Sequence, residues 1–344
     1  MRAVVGSLLA VSGLVGIIGC AGSGVQQASL NQADVYGTPA SGLVDGDASV
    51  AQFSNPANVE VGPDGTVYVA DYDNYAVRAI APNGTVSTLV KQSNFAQPFG
   101  LTLSPDGFLY VSTDFNDLGG KDATTGTIWQ VDLKAKTCVV VAHNLGRPRG
   151  IAAISKTKIA MTDLLHNVVS ILDTQTKAVT VLAGTLDQAS HVNDVGAVAR
   201  FSRPYGLAVM SDGSLLVADA NNNCIRKVTM SGKVTDFAGS TTPGLQNGSA
   251  LTAQFLNPQD IAISGGNVYV ADTANHVVRR ISGGNVTTFA GDGTQGFNVS
   301  PGLAAEFYGL EGLAMRPGSG TLWIADGNQG DGSDHNHVRK IPAQ

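Results

Sequence analysis

At 344 residues the chain is long enough for two ordinary domains or one large repeat domain. Only 14% of its residues are charged and 42 are glycine, too apolar for a disordered chain and too rich in turn formers for a helical one. A formal net charge of -6, with no basic run, excludes the electrostatic footprint of a nucleic-acid-binding protein.

The chain opens on MRAVVGSLLAVSGLVGIIGC, one arginine followed by an apolar and small-residue run. Over residues 1–19 this is a secretory signal pattern, and it is short for a membrane-spanning helix. Ile17-Ile18-Gly19-Cys20 resembles the lipobox of bacterial lipoproteins, whose cysteine becomes the diacylated new N-terminus. The resemblance implies lipidation at Cys20 and a polar tether over 20–32, with the membrane held through the N-terminal lipid only. With Ala21 where an aspartate would signal inner-membrane retention, it implies a bacterial cell envelope location at the outer membrane. An ordinary signal peptide with a chance cysteine is the alternative. Cys138 and Cys224 fall in different repeats and read as two separate buried thiols, not a disulfide.

From residue 33 onward the chain repeats itself. TVYVADYDNYAVRAI at 66–80 returns as FLYVSTDFND from 108 and KIAMTDLLHNVVSIL from 158. It returns again as SLLVADANNNCIRKV at 214–228, NVYVADTANHVVRRI at 267–281 and TLWIADGNQGDGSDHNHVRKI from 321. An aspartate closes each apolar run: Asp71, Asp114, Asp163, Asp219, Asp272 and Asp326. Upstream, Phe53/Pro56, Phe95/Pro98, Leu145/Pro148, Phe201/Pro204 and Phe255/Pro258 recur at one spacing, and the sixth copy has Phe307 with Leu310. Within a copy, β-branched runs alternate with Asp-Gly, Asn-Gly or Ser-Gly turns, which predicts four antiparallel strands. Such a sheet buries both faces only when copies stack around an axis. The expected fold is all-β: a six-bladed β-propeller of four-stranded antiparallel blades over 33–344. Inner strands would start near 57, 99, 149, 205, 259 and 311.

The copies resemble the NHL-repeat family of six-bladed propellers, through F-x-x-P-x-G-(L/I)-A, the D-G turn, V-Y-V-A-D and N-H-x-(V/I)-R-x-I. The resemblance covers about 50–344. It weakens in copy two, which carries an insertion, and in copy three, where SKTK replaces the D-G turn. Copy six ends after its third strand, while ADVYG at 33–37 matches the fourth-strand endings TDFAG and TTFAG. The N-terminal segment is therefore expected to complete the last blade and remove an open edge.

Hairpin topology gathers the long links (37–53, 184–201, 239–255, 291–307) and the loops 116–126 and 327–336 on one face. The residues after each proline begin the inner strands at the mouth of the channel. They read Ala57-Asn58, Phe99-Gly100, Arg149-Gly150, Tyr205-Gly206, Gln259-Asp260 and Glu311-Gly312. Asn58, Phe99, Arg149, Tyr205, Gln259, Asp260 and Glu311 thus form a candidate rim for a small polar ligand or a peptide end, and a solvated rim without a ligand is the alternative. The six aspartates are too regular for a metal ring and are expected to accept backbone N–H bonds at strand corners. His166, His276 and His337 are read as one repeat position, also structural. HNH at 335–337 lacks a third ligand for zinc, and DGNQGDGSD at 326–334 breaks calcium-loop spacing. Gly291-x-Gly293-x-x-Gly296 has no helix after it to cradle a phosphate.

NHL propellers are mostly interaction scaffolds. The resemblance therefore implies a binding scaffold for an envelope protein, peptide or glycan, with no nucleic acid and no firm cofactor or catalytic residue. The competing reading is a metal-dependent hydrolase resembling gluconolactonase/regucalcin-like propellers. In those, a Glu, an Asn and an Asp hold Ca or another divalent cation, here Glu311, Asn58 and Asp260, with the last two one position out of step. The peptide-amidating lyases need channel histidines that this rim lacks.

Overall fold

The computed structural model describes residues 34–316 and 318–342. The signal, Cys20 and tether readings concern residues outside these. Among the described residues no helix is long and apolar enough to cross a membrane. Six antiparallel sheets follow one another along the chain, each ordered inner to outer as first to fourth strand. Blade 1 has strands Pro56–Val61, Val67–Asp71, Ala76–Ile80 and Val86–Lys91, and blade 2 Pro98–Leu103, Leu109–Thr113, Thr127–Asp132 and Thr137–Ala142. Blade 3 has Pro148–Ala153, Lys158–Asp163, Val168–Asp173 and Val179–Ala183, and blade 4 Pro204–Val209, Leu215–Asp219, Cys224–Val228 and Val234–Ala238. Blade 5 has Pro258–Ser264, Asn267–Asp272, Val277–Ser282 and Asn285–Ala290, with Gly248–Ser249 added at its outer edge. Blade 6 combines Leu310–Met315, Thr321–Asp326 and His337–Pro342 with Asp34–Tyr36, which pairs antiparallel as Asp34↔Lys340, Val35↔Arg339 and Tyr36↔Val338.

Each inner strand packs against that of the next blade, and the sixth against the first, so the all-β propeller is a ring of six blades. Apolar side chains of adjacent blades fill the wedge between them. Val59, Val67 and Val69 of blade 1, for example, meet Ala314, Trp323 and Ala325 of blade 6 in one cluster. Tyr36 joins that cluster, its ring 5.1 Å from Trp323, and Asp34 pairs with Lys340 at 2.7 Å. The second strands are buried along their whole length in every blade, apart from exposed or half-buried first residues in some. That burial explains why they read as unbroken apolar runs instead of alternating ones.

The first strand of each blade carries a bulge just after its opening Pro or Leu, so that Pro56 and Asn58, not Ala57, face consecutive partners. The same shift occurs after Pro98, Pro148, Pro204, Pro258 and Leu310. Bulges re-aim side chains. Here they turn one residue per blade into a layer at the loop-rich end of the ring.

Candidate functional site

The bulged layer consists of Ala57, Phe99, Arg149, Tyr205, Gln259 and Glu311. Phe99 and Tyr205 meet edge to face at 5.5 Å, and Tyr72 approaches Phe99 edge-on at 6.1 Å. The Arg149 guanidinium lies 4.2 Å over the Phe99 ring. Its Nη1 and Nη2 donate to the two oxygens of Asp114, the latter at 3.1 Å, in the bidentate geometry that suits a guanidinium and a carboxylate. Tyr72 Oη donates to Asp114 Oδ2 at 2.8 Å, with Lys121 at 3.7 Å and Arg147 at 3.9 Å. Burial pushes the Asp114 carboxyl up, but Arg149 and these neighbours outweigh it and hold it below the usual carboxylate range. Glu311 has a weaker balance: burial, against the attraction of Arg149, leaves it raised to about 7. Tyr205, whose hydroxyl is pushed up by burial and by Glu311, and Glu311 are only half-buried, so this layer presents an aromatic and an acid beside a fixed cation. Gln259 is 8% exposed and its Oε1 has no hydrogen-bond partner.

One residue further along, the strands read Asn58, Gly100, Gly150, Gly206, Asp260 and Gly312. The glycines are required by close approach. A Cβ on Gly100 would stand 2.4 Å from the Arg149 carbonyl, and one on Gly150 2.6 Å from that of Tyr205. Asn58 and Asp260 break this ring and send side chains into a cavity of about 390 Å3. The cavity is lined by the rest of the six inner strands, out to Val61, Leu103, Ala153, Val209, Ile263 and Met315, and so runs toward the short-turn face. Leu313 N–H donates to Asp260 Oδ2 at 2.8 Å, and Val59 N–H to Asn58 Oδ1 at 2.7 Å. Glu60 joins them in the lining and accepts Leu103 N–H at 3.2 Å. Burial raises Asp260 and Glu60 each to about 7, the latter helped by repulsion from Asp260.

The seven rim residues expected at one opening therefore occupy two layers. Phe99, Arg149, Tyr205, Gln259 and Glu311 lie in the bulged layer, with Asn58 and Asp260 in the channel below. Glu311 feels the charge of Arg149 and sits one position before the Asn58–Asp260 layer. Glu60 was missed. The signal for it is its place two residues after Asn58, where the other inner strands carry Thr102, Ala152, Ala208, Ala262 and Ala314.

Asp163 accepts the Arg147 N–H at 3.1 Å, and in four other blades the repeated aspartate is a strand-corner anchor that also holds an arginine. Ser54, Ser202 and Leu256 N–H donate to Asp71, Asp219 and Asp272 at 2.7 Å, and Tyr308 N–H to Asp326 at 2.9 Å. The second oxygen of each takes a buried arginine from the third strand: Arg78, Arg226, Arg279 and Arg339, at 2.8–3.0 Å. Each arginine also donates to carbonyls of the long link entering its blade. Arg78 reaches Gln52 and Val44, Arg226 reaches Arg200 and Val192, Arg279 reaches Gln254 and Gln246, and Arg339 reaches Glu306 and Asn298. Beneath the guanidiniums lie the rings of Phe53, Phe201, Phe255 and Phe307. The Phe-x-x-Pro motif, the Asp and the Arg are one device that fastens a long link to its blade.

A family model for the Teneurin NHL domain matches residues 37–243, more than half of the chain, and a model for the NHL repeat matches residues 255–281. The chain belongs to the NHL-repeat family. NHL repeat-containing protein 2 of Homo sapiens is 32% identical to it over 123 residues, 32% of this chain and 17% of the human protein. This NHL propeller thus matches less than a fifth of that relative's length. A Bacteroides thetaiotaomicron protein of unknown function aligns with a TM-score of 0.71 at 20% identity, covering 91% of this chain and 76% of its own. An auxiliary nutrient binding protein from Bacteroides ovatus aligns at 0.69 and 18%, covering 91% and 77%. At these identities the likeness is one of fold.

Two repeat assignments are corrected by strand register. In blade 2 Pro98 pairs with Thr113, as Pro56 pairs with Asp71, so Thr113 holds the repeat position and Asp114 lies one residue beyond. Trp129 stands where blades 1, 4, 5 and 6 have arginine, and its Nε1 donates to Thr113 Oγ1 at 2.9 Å. Asp114 is thereby released to Arg149. Asp163 of blade 3, with Ser170 at the arginine position, pairs instead with His166 Nδ1 at 2.6 Å. The three histidines do not share one position either. His337 is a strand residue opposite Asp326, as Cys224 is opposite Asp219, whereas His276 is the left-handed residue before a strand. His166 precedes the corresponding left-handed Asn167.

In the NHL propeller's last loop His335 stacks on Tyr308 at 3.8 Å, and His337, at the start of the strand that follows, stacks on Phe297 at 4.1 Å. Burial, with Arg339 and His335 nearby, holds His337 down to about 4. Asp326 is engaged by Arg339, and Asp331 by Tyr308 Oη at 2.5 Å. These acids do not converge into an oxygen cage.

Proposed function

We propose that this NHL propeller is a non-catalytic binding scaffold of the bacterial cell envelope, taking a protein, peptide or glycan through its loop-rich face. The observation that carries the reading is the network of Asp114, Arg149, Phe99, Tyr72 and Tyr205. It lies where blades 2 and 3 lack the link-fastening device, and it sets a paired cation and half-buried aromatic and acidic groups at the ring's mouth. Arginine stacked on an aromatic, next to tyrosine and glutamate, is the chemistry of sugar hydroxyls and peptide polar groups. The nutrient-binding name of the Bacteroides ovatus fold relative agrees with a binding role. Attachment through a lipid on Cys20 would hold the scaffold at the membrane.

A lactonase-like metal centre has less support. Glu311 lies in the Arg149 layer, one position out of step with Asn58 and Asp260, and Asn58 Oδ1 and Asp260 Oδ2 each already accept a backbone N–H.

The test is binding of the labelled full chain to arrays of envelope oligosaccharides and peptides. Captured ligands should lose at least about tenfold in affinity with Tyr205→Ala or Glu311→Gln, a loss of about 1.4 kcal/mol. Lys227→Ala, at the short-turn face beside Asp212, should change nothing. Ligands that follow Lys227→Ala instead, or chelator-sensitive lactone hydrolysis lost in Glu311→Ala, would overturn the reading.

A further inference from the structure

Blades 1, 4, 5 and 6 can be superposed residue by residue through their fastening arginines. The link residue before the carbonyl that binds each Nη2 is Leu43, His191, Leu245 or Phe297. The strand residue opposite each repeat aspartate is Ala76, Cys224, Val277 or His337. The outer-strand residue paired with the arginine is Thr88, Asp236, Thr288 or Val35. The first two positions touch, as the Phe297–His337 stack at 4.1 Å shows for blade 6. In blades 1 and 5 the three positions hold two aliphatic residues and a threonine. Blade 6 carries phenylalanine, histidine and valine there, and blade 4 carries histidine, cysteine and aspartate, the one blade of the four with a possible ligand at every position.

The replacements converge. The His191 ring nitrogen, Cys224 sulfur and an Asp236 oxygen lie within 4.8 Å of one another, the one such group of three among the described residues. His191 Nε2 and Asp236 Oδ1 are 2.8 Å apart. A tetrahedral ion with bonds of about 2.0–2.3 Å needs its ligand atoms about 3.4 Å apart, so small side-chain shifts about the present positions would seat one. Cys224 is fully buried, while the His191 and Asp236 side chains are 27% and 29% exposed and leave a solvent route and an open fourth position.

We infer that His191, Cys224 and Asp236 form a binding site for one divalent transition ion of the zinc class. Imidazole, thiolate and carboxylate together suit zinc and cobalt and exclude magnesium and calcium, which take oxygen sets. The ion bonds to His191 Nε2, displacing its hydrogen bond to Asp236, to Asp236 Oδ1, and to the Cys224 sulfur, whose proton leaves to solvent. Asn193 Nδ2 keeps Asp236 Oδ2, at 2.8 Å, and orients the carboxylate. Arg226, 3.0 Å from Asp236 Oδ1 and paired with Asp219 at 2.8 Å, is the one arginine or lysine in an ion pair with Asp236 among the described residues. Once Cys224 is a thiolate, three negative groups face that single positive one, and a divalent ion cancels the remainder.

The experiment is titration of the chelator-treated full chain with Co2+, read by the sulfur-to-cobalt charge-transfer band and checked by Zn2+ displacement. One equivalent should produce the band, and Zn2+ should abolish it. The variants copy residues this fold already carries at the same positions: His191→Leu, Cys224→Ala and Asp236→Thr. Cys224→Ala should remove the band, while His191→Leu and Asp236→Thr should weaken Co2+ binding at least about 100-fold and 10-fold. Cys20→Ser and Cys138→Ser should leave it unchanged, and unchanged circular dichroism shows that each variant folds. No band at tenfold excess of Co2+, or a Co2+ affinity unchanged by His191→Leu, would overturn the assignment.

Discussion

Blades 1, 4, 5 and 6 receive the chain through links of residues 37–55, 184–203, 239–257 and 291–309, whereas blades 2 and 3 receive it through 92–97 and 143–147. Every long link ends on a buried Asp–Arg pair over a phenylalanine, and neither short link does. A guanidinium buried this deeply needs partners for its Nη donors, and only a long link folds back far enough to offer the carbonyls that fill them. Where the link is short, Trp129 and Ser170 replace the arginine, Thr113 replaces the acid of blade 2, and Asp163 of blade 3 turns to His166. Asp114, one residue past the fastening position, pairs with Arg149 at the mouth of the ring. Regularity and exception thus have one cause, the length of the connection.

The largest expected effect comes from cutting a fastening. Arg279→Ala or Asp272→Ala leaves a buried partner charge, 0% exposed in either case, and should cost about 3–5 kcal/mol in urea denaturation. Blade 2 inverts the experiment. Trp129→Arg puts a cation where no acid or link carbonyl awaits it and should cost about 3 kcal/mol or more, with only part recovered by adding Thr113→Asp. Full recovery would show that the acid alone suffices and that link length is irrelevant.

A smaller effect is expected at the seam. Tyr36, 9% exposed against Trp323, should cost about 2–4 kcal/mol as Tyr36→Ala if the Asp34–Tyr36 strand closes the ring. No loss would show closure to be dispensable.

The smallest effect is in the channel. Glu60 and Asp260, raised to about 7, stabilise the fold fully below their unfolded values near 4, and that contribution is lost as pH rises through 7. A tenfold change in a carboxylate's proton affinity corresponds to about 1.4 kcal/mol, and water in the channel screens part of it. Glu60→Gln should therefore flatten the pH profile of stability by about 1–2 kcal/mol between pH 5 and 8. A profile unchanged by the variant would mean that the channel hydrates its carboxylates fully.

Much of the ring could be read from the chain because its signals are local: apolar runs, Asp-Gly turns and Phe-x-x-Pro recur at one spacing. Asp114 misled because adjacency to an apolar run is not register. Setting LYVST against VYVAD puts Thr113 at the shared position, and Trp129 in place of arginine says the same. His337 misled likewise, since the loop 327–336 lengthens the gap between Asp326 and its strand partner. The two layers of the rim were hidden for another reason. A bulge after each opening Pro or Leu separates Glu311 from Asn58 and Asp260, and nothing in composition announces a bulge. The blade 4 group needed the fold, because its three residues come from a link, the third strand and the outer strand.

The division between fastening and binding acids is tested most directly by one ligand measured on two variants, Asp114→Asn and Asp272→Asn, at a temperature where both are folded. The ligand is a peptide or glycan captured by the parent chain, and the readout is fluorescence polarisation. Asp114→Asn should weaken binding more than about tenfold while Asp272→Asn, although less stable, stays within about twofold. Undiminished binding by Asp114→Asn, or equal loss in both, would contradict the assignment of the loop-rich mouth as the binding site.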